Sequence, residues 1–355
     1  MSDARQLVAD IERFVRDAEG SFEVLAHRAF ALQYARVEPF RRLCGARGVD
    51  PQTMGDWRAI PPVPTAAFRS LALHVEPARE LFRSSGTTGG PGSRSVHHHP
   101  FPHLYRAVID ASFSGACLPE DDRRPILSLV PSRDQAPDSS LGFHCDHVLR
   151  SWGAEGSLSA FCDRGVDIAA ALAFLRDADR QPVTILTTAF ALAQLLEALE
   201  GLGGVRLAAG STMMETGGFK GRRKELSRPE LLLGVERWLG LPADRVVREY
   251  GMTELTGHVY SDVLHGGDPD VFRVPHWMRV RLLDPVSLHE VPRGEEGLVA
   301  VVDLANVGSA LHVVSQDVGT SGEDLGHDGA HFRLVGRAAG ADLRGCSLTV
   351  EELTG

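Results

Sequence analysis

The seven residues Ser84-Ser85-Gly86-Thr87-Thr88-Gly89-Gly90 set four hydroxyls beside three glycines. Glycine lets backbone N–H groups approach an anion closely, and Ser and Thr hydroxyls add donors that turn with the ligand, so the guest this composition suits is a polyphosphate. A Walker-type loop would end in Gly-Lys-Ser/Thr, whereas Gly89-Gly90-Pro91-Gly92-Ser93-Arg94 follows here, which counts against GTPase and kinase readings. Far downstream, Val246-Val247-Arg248-Glu249-Tyr250-Gly251-Met252-Thr253-Glu254 reads as a strand ending in a glycine turn. That turn offers a ring to stack on a base, a hydroxyl for a phosphate oxygen and a carboxylate for Mg²⁺. Taken singly, the first segment is also compatible with a solvated Ser/Gly turn and the second with an ordinary strand end.

Together the two segments resemble the signature pair of the adenylate-forming superfamily, which includes acyl-CoA synthetases, firefly-type luciferases and peptide-synthetase adenylation domains. Between them, Glu215-Thr216-Gly217-Gly218-Phe219-Lys220-Gly221 is similar to the Gly-Gly segment that lines the adenine pocket in those enzymes. Further on, Pro292-Arg293-Gly294-Glu295-Glu296-Gly297-Leu298-Val299 looks like their turn before a strand, and Gly336-Arg337 like the pair that precedes their domain hinge. Within the superfamily the likeness is greatest to the LuxE-type acyl-protein synthetases, with phenylacetate-CoA ligases as cousins. The resemblance implies an α/β adenylate-forming domain of layered β-sheets and helices over 1–335, with a helical N-terminal segment at 1–48. A hinge remnant at 336–355 then stands where full members carry a mobile domain of roughly a hundred residues, which is almost entirely missing.

The same resemblance assigns roles. Ser84, Ser85, Gly86, Thr87, Thr88 and Gly89 hold the β/γ-phosphates of ATP, and Gly217 and Gly218 line the adenine pocket. Tyr250 stacks on adenine, with Gly251 and Met252 in the same nucleotide-binding turn, Thr253 donates to the α-phosphate and Glu254 holds Mg²⁺. Asp317, at the end of the apolar run Leu311-His312-Val313-Val314, looks like the acid that binds the ribose hydroxyls, and Asp324 is the competing match. A carboxylate, with a fatty acid foremost, then attacks the α-phosphorus, pyrophosphate leaves, and an acyl-adenylate remains. Two departures stand out: Pro91-Gly92-Ser93-Arg94 replaces the usual Pro-Lys-Gly, and no C-terminal domain supplies the lysine that speeds adenylation. Either Arg94 is the cation near the phosphates or that cation is missing, and either Lys220, Arg337 or a partner protein stands in for that lysine or the reaction is slow.

In the LuxE type a cysteine near the C-terminus carries the acyl group, and Cys346 lies in the matching tail. A thiolate attacks a mixed anhydride readily, Arg337 and Arg344 nearby favour the ionised sulfur, and Gly345 would help the loop swing. The competing reading of Cys346 is a small, inert core residue. Three functions follow: a self-acylating synthetase that passes its acyl group to a partner such as an acyl reductase; a ligase that delivers the adenylate to coenzyme A or an acyl carrier protein; and a non-catalytic nucleotide-binding subunit.

The elements that must position these groups are legible in outline. Leu7, Val8, Ile11, Phe14 and Val15 recur at helical spacing, and a second helix is predicted from Phe22 to about Leu43. After Pro61-Pro62-Val63-Pro64, short apolar runs alternate with helical stretches, the mark of an α/β protein. Pro125–Pro131 and Pro182–Thr187 read as buried strands and Ala189–Leu199 as a helix, with Phe190 at its start facing either substrate or core. His97-His98-His99 and His144-Cys145-Asp146-His147 invite a metal reading, weakened because strand alternation would split the first run between two faces. Either could instead contact substrate. Cys44, Cys117, Cys145 and Cys162 show no CxxC pairing and read as core. With 43% hydrophobic and 24% charged residues the chain is an ordinary globular protein, and its net charge of −10 counts against a nucleic-acid partner. No signal-like N-terminus and no apolar run of membrane-spanning length is evident, so the cytoplasm is the expected location.

Overall fold

The computed structural model describes residues 3–85, 94–119, 123–163, 165–178, 180–217, 226–321, 330–338 and 344–354. Its helices are α1 (Asp3–Asp17), α2 (Phe22–Arg36), α3 (Glu38–Ala46), α4 (Pro102–Cys117), α5 (Ser140–Trp152), α6 (Ile168–Leu175), α7 (Ala189–Glu200), α8 (Arg228–Leu239) and α9 (Arg344–Thr354). The first strands are β1 (Val63–Pro64), β2 (Glu80–Arg83), β3 (Val96–His99), β4 (Ile126–Ser128), β5 (Leu158–Ser159), β6 (Phe161–Cys162), β7 (Gly165–Val166) and β8 (Thr184–Thr188). They are followed by β9 (Thr212–Thr216), β10 (Val246–Tyr250), β11 (Val259–Ser261), β12 (Val271–Arg273), β13 (Met278–Leu283), β14 (Glu296–Asp303), β15 (His312–Thr320) and β16 (His331–Arg337). The α/β class read from the alternating apolar runs is the class observed.

The chain divides into two compact units. The first takes Met1–Val108, Met252–His258 and Arg273–Gly355, and the second Ile109–Gly251 and Val259–Phe272. In the first unit β13, β14, β15 and β16 form an antiparallel sheet with β1 added in parallel along β15. β14 runs buried through almost its whole length from Gly297 to Asp303, which is why its sequence is nearly continuous in Leu, Val and Ala. The predicted first helix is α1, and its apolar stripe Leu7, Val8, Ile11, Phe14 and Val15 is buried as the spacing required. The single helix predicted from Phe22 to Leu43 is two, because Val37 is extended between α2 and α3. Pro39 is tolerated only in a first turn, so a new helix must begin just before it.

In the second unit β4, β5, β8, β9 and β10 run parallel, and β11 closes on β10 antiparallel. The predicted strands at Pro125–Pro131 and Pro182–Thr187 are β4 and β8. Thr188 ends β8 and caps α7, its hydroxyl accepting from the Ala191 N–H at 3.2 Å. Phe190 packs half-buried against the apolar cluster around Leu192, Leu195 and Leu199.

Candidate functional site

The phosphate-loop candidate sits on a hairpin in the first unit. β2 and β3 pair antiparallel with Phe82 opposite His97 and Glu80 opposite His99. Ser84 and Ser95 close its open end: the Ser84 N–H donates to the Ser95 carbonyl at 3.1 Å, and the Ser84 hydroxyl accepts from the Ser95 N–H at 2.9 Å. The Arg94 guanidinium donates to the carbonyls of Ser84 and Arg83, so the cation expected near the phosphates is tied to the base of the loop. Gly86, Thr87, Thr88 and Gly89 lie outside the described residues, as do Gly218, Lys220 and Asp324.

The turn after Tyr250 is built with unusual care in its first-unit part. The Thr253 carbonyl accepts from His97 Nδ1 at 2.8 Å. The Glu254 carbonyl accepts from Asn306 Nδ2 at 2.9 Å. The N–H groups of Thr256 and Gly257 donate to Asp303 Oδ2 at 3.2 and 2.6 Å, and the Thr256 hydroxyl donates to Asn306 Oδ1 at 2.9 Å. Asp303 ends β14 and Asn306 lies in the short helical turn Leu304–Gly308, where Asp303 Oδ1 also accepts from the Ala305 N–H. Gly257 fits closely: a Cβ there would displace the end of the Met278 side chain and crowd Asp303 Oδ2 at 3.1 Å. Burial pushes the Asp303 carboxyl up to about 6 against the three N–H groups that favour its anion. Burial likewise pushes His97 down to about 4, against the Thr253 carbonyl that favours its cation. Glu254 is itself buried, at 6% exposure.

The second unit holds the other half of the signature. Tyr250 ends β10 with its ring 5.8 Å from Phe272, and the Arg248 guanidinium lies 5.2 Å over the same Phe272 ring. Glu249 is buried and accepts from the Thr216 hydroxyl at the end of β9. Gly217 follows with φ +74°. The Glu215 carboxyl is raised by burial, with Arg248 and Arg228 opposing. Both arginines reach Asp270, at 3.7 and 3.1 Å.

Asp317 is delivered by β15 as expected, though within the strand, and stands opposite Arg337 in the register of β15 and β16. Its N–H donates to the Ser315 hydroxyl at 3.0 Å. Arg337 donates to Gln316 Oε1 at 3.2 Å. Cys346 differs from its expected surroundings: it occupies the first turn of α9 and is 7% exposed, packed on Leu283, Leu288, Leu298, Ala300 and Val314. Burial pushes its thiol up to about 11. Gly345, expected as a swivel, is instead a close approach, since a Cβ there would come within 2.7 Å of the Val286 carbonyl. Of the other cysteines, Cys44, Cys117 and Cys145 are buried as read and Cys162 is half-buried.

The histidine runs hydrogen-bond to backbone and side-chain partners. Among the described residues no group of three or more His, Cys, Asp or Glu is arranged to hold a metal ion. His97 and His99 alternate on β3 and are both buried facing the Thr253–Gly257 turn, while in the second unit His144 meets the Tyr260 hydroxyl at 3.4 Å and His147 meets Asp110 at 2.7 Å. His99, Asp303 and Asn306 are the residues that motif reading did not connect to the site. Their signal was physical: a polar residue ending an apolar strand, and two histidines at strand spacing, must each find a partner inside.

The fold has known counterparts. The fold is that of the adenylate-forming ligases: a 2-hydroxyisobutyryl-CoA ligase, solved open with its adenylate and CoA, matches 95% of this chain and 76% of its own at TM-score 0.64 and 12% identity. The same ligase in its thioester-forming state matches 95% of this chain and 69% of its own, at TM-score 0.65 and 13% identity. Residues 188–354 match the family model of the acyl-protein synthetase LuxE. The long-chain-fatty-acid–luciferin-component ligase of Vibrio harveyi is 22% identical over 339 residues, covering 92% of this chain and 86% of the relative. The resemblance read from the motifs therefore holds: the chain is LuxE-like in sequence and an adenylate-forming ligase in fold. Among the described residues no helix is long and apolar enough to cross a membrane.

Proposed function

We propose that the protein is an ATP-dependent, AMP-forming acid–thiol ligase that activates a carboxylic acid, with a long-chain fatty acid as first candidate, and passes the acyl group to a thiol. One observation carries the reading: the turn bearing Thr253 and Glu254 has its successive backbone groups fixed by buried side chains. Groups aimed in advance at a developing charge need no reorganisation during reaction. Thr253 donates to the α-phosphate, Ser84 and Ser85 hold the outer phosphates, Tyr250 stacks on the base, Gly217 lets it approach, and Asp317 takes the ribose. Glu254 is the residue that would hold Mg²⁺, whose contribution when bound is to neutralise charge on the phosphates. The acceptor is Cys346 in the first reading, with onward transfer to a partner such as an acyl reductase. The burial of Cys346 and its raised thiol favour a second reading, in which coenzyme A or an acyl carrier protein takes the acyl group directly.

Intact-mass measurement after incubation with Mg-ATP and a panel of fatty and aryl acids tests this, with Cys346→Ala alongside and pyrophosphate followed in parallel. A hydroxylamine-labile adduct in the wild type and none in Cys346→Ala supports self-acylation. Pyrophosphate release without an adduct moves the acceptor to an external thiol, and neither signal sinks the enzymatic reading.

A further inference from the structure

His97 and His99 stand two residues apart on β3, immediately after the phosphate-loop segment, and hydrogen-bond partners fix the protonation of both rings. A carbonyl oxygen can only accept, so His97 carries its proton on Nδ1, which donates to the Thr253 carbonyl. The Asn306 amide nitrogen donates to the carbonyls of Glu254 and Ala310, which leaves Asn306 Oδ1 to accept the Thr256 hydroxyl proton. With its proton spent, Thr256 Oγ1 accepts from His99 Nε2–H at 3.0 Å. A directed chain therefore runs from His99 through Thr256 and Asn306 to the Glu254 carbonyl, beside the single bond from His97 to the Thr253 carbonyl. The remaining ring nitrogens, His97 Nε2 and His99 Nδ1, are buried and have no hydrogen-bond partner among the described residues. Each ring thus gives up one buried bond to serve the turn, a cost structures accept where geometry matters.

We infer that His97 and His99 are positioning residues that set the Thr253 and Glu254 carbonyls, and through them the side chains that meet the α-phosphate and the metal. This inference rests on the nucleotide reading of Thr253 and Glu254 above. It joins the two signature segments mechanically: the strand leaving the phosphate loop holds the turn that carries the hydroxyl and the carboxylate. Neither histidine touches substrate in this role, and both act through the backbone of the turn.

The conservative variants follow from the tautomers. His97→Asn keeps an N–H where Nδ1 stands and His99→Gln keeps one where Nε2 stands, whereas His97→Leu and His99→Leu keep neither. ATP–pyrophosphate exchange is measured against Mg²⁺ and acid concentration, with a thermal melt for each variant. Loss of one such bond predicts that either Leu variant needs about 10-fold more Mg²⁺ for half-maximal rate, with the acid KM unchanged and the Asn and Gln variants restored to within about 3-fold. Folded Leu variants with the wild-type Mg²⁺ dependence would overturn the inference, and so would Asn and Gln variants as impaired as Leu. If the wild type itself shows no exchange, the nucleotide reading has failed. The ring nitrogens then decide the geometry alone: ¹⁵N shifts must place protons on Nδ1 of His97 and Nε2 of His99, and the opposite tautomers refute the arrangement.

Discussion

The first unit contains two residues whose chemistry the sequence singled out, Glu254 and Cys346, and it treats their surroundings in opposite ways. Around Glu254, polar side chains are brought into the interior to hold the backbone of the turn, at the expense of burying Asp303, His97 and His99. Around Cys346 the described residues supply apolar packing, from Leu283, Leu288, Leu298, Ala300 and Val314. A group that must bind charge at once is best set in advance by fixed dipoles, whereas a thiol that must attack has to become a thiolate, which apolar burial opposes. The contrast sets a prepared polar turn against a thiol covered by apolar side chains. Transfer through Cys346 needs α9 to leave its seat, and transfer to an external thiol does not.

The sharpest break in the comparison is removal of the Glu254 charge. Glu254→Gln keeps the shape and the backbone bonds of the turn, so pyrophosphate release is expected to fall by about 10³-fold, at the upper range for loss of one charge-stabilising group, with the melting temperature little changed. Cys346→Ala is expected to leave pyrophosphate release in place. Equal losses in the two variants would show that the two sites are not separable.

Acid should damage the polar surroundings first. His97 at about 4 and His312 at about 3 are lowered by burial, and His99 is lowered well below its usual value for the same reason. The groups acting on them are His98 and the Thr253 carbonyl for His97, His97 and His103 for His99, and Arg281 and the Ile60 carbonyl for His312. Their folded values lie below the unfolded one, so the stability tied to their neutral forms is present above about pH 6.5 and is lost as pH falls toward 4. Asp303 runs the other way, since its folded value of about 6 exceeds the unfolded one and protonation favours the fold. Three histidines outweigh one carboxyl, and the unfolding free energy from urea titration is expected to fall by about 3 kcal/mol between pH 7.5 and 5.5. A flat profile over that range would mean that these rings are not buried neutral. Asp303→Ala should cost about 2 kcal/mol at pH 7.5, because three N–H donors lose their acceptor while a buried charge disappears.

Much of this molecule was readable before its structure. The periodicity of Leu7 to Val15 and the apolar runs at β4 and β8 report burial directly, and burial is what a sequence pattern encodes. The break at Val37 was missed because a helical stripe continues on both sides of it, while Pro39 acts only on the helix that follows. Motif chemistry singled out Thr253 and Glu254, whose residue types suit a nucleotide and its metal. It did not find Asp303 and Asn306, whose work is to satisfy backbone groups some fifty residues away in sequence. Spacing along the chain carries no record of such pairs. The surroundings of Cys346 were misjudged for a related reason: Arg337 and Arg344 are near it in sequence, whereas the cluster that packs on it comes from β13, β14 and β15.

The gentlest test concerns how firmly α9 keeps its thiol covered. Arg47, just past α3, donates to Glu352 at 2.9 Å and to the Thr349 hydroxyl at 2.6 Å, and Arg42 donates to the Leu353 carbonyl at 2.8 Å. These contacts tie the outer turns of α9 to the N-terminal helices, while Gly345 anchors its start by donating to the Pro285 carbonyl at 2.9 Å. A partly exposed ion pair with one added hydrogen bond stabilises by about 1 kcal/mol, so Arg47→Met should raise the population of undocked α9 by about 5-fold. Labelling of Cys346 by a thiol reagent, in a Cys162→Ser background that removes the half-buried competitor, reads that population directly. If acyl transfer runs through Cys346, the rate of adduct formation should rise in the same proportion while pyrophosphate release does not. An unchanged adduct rate beside faster labelling would show that undocking of α9 does not limit the acyl step.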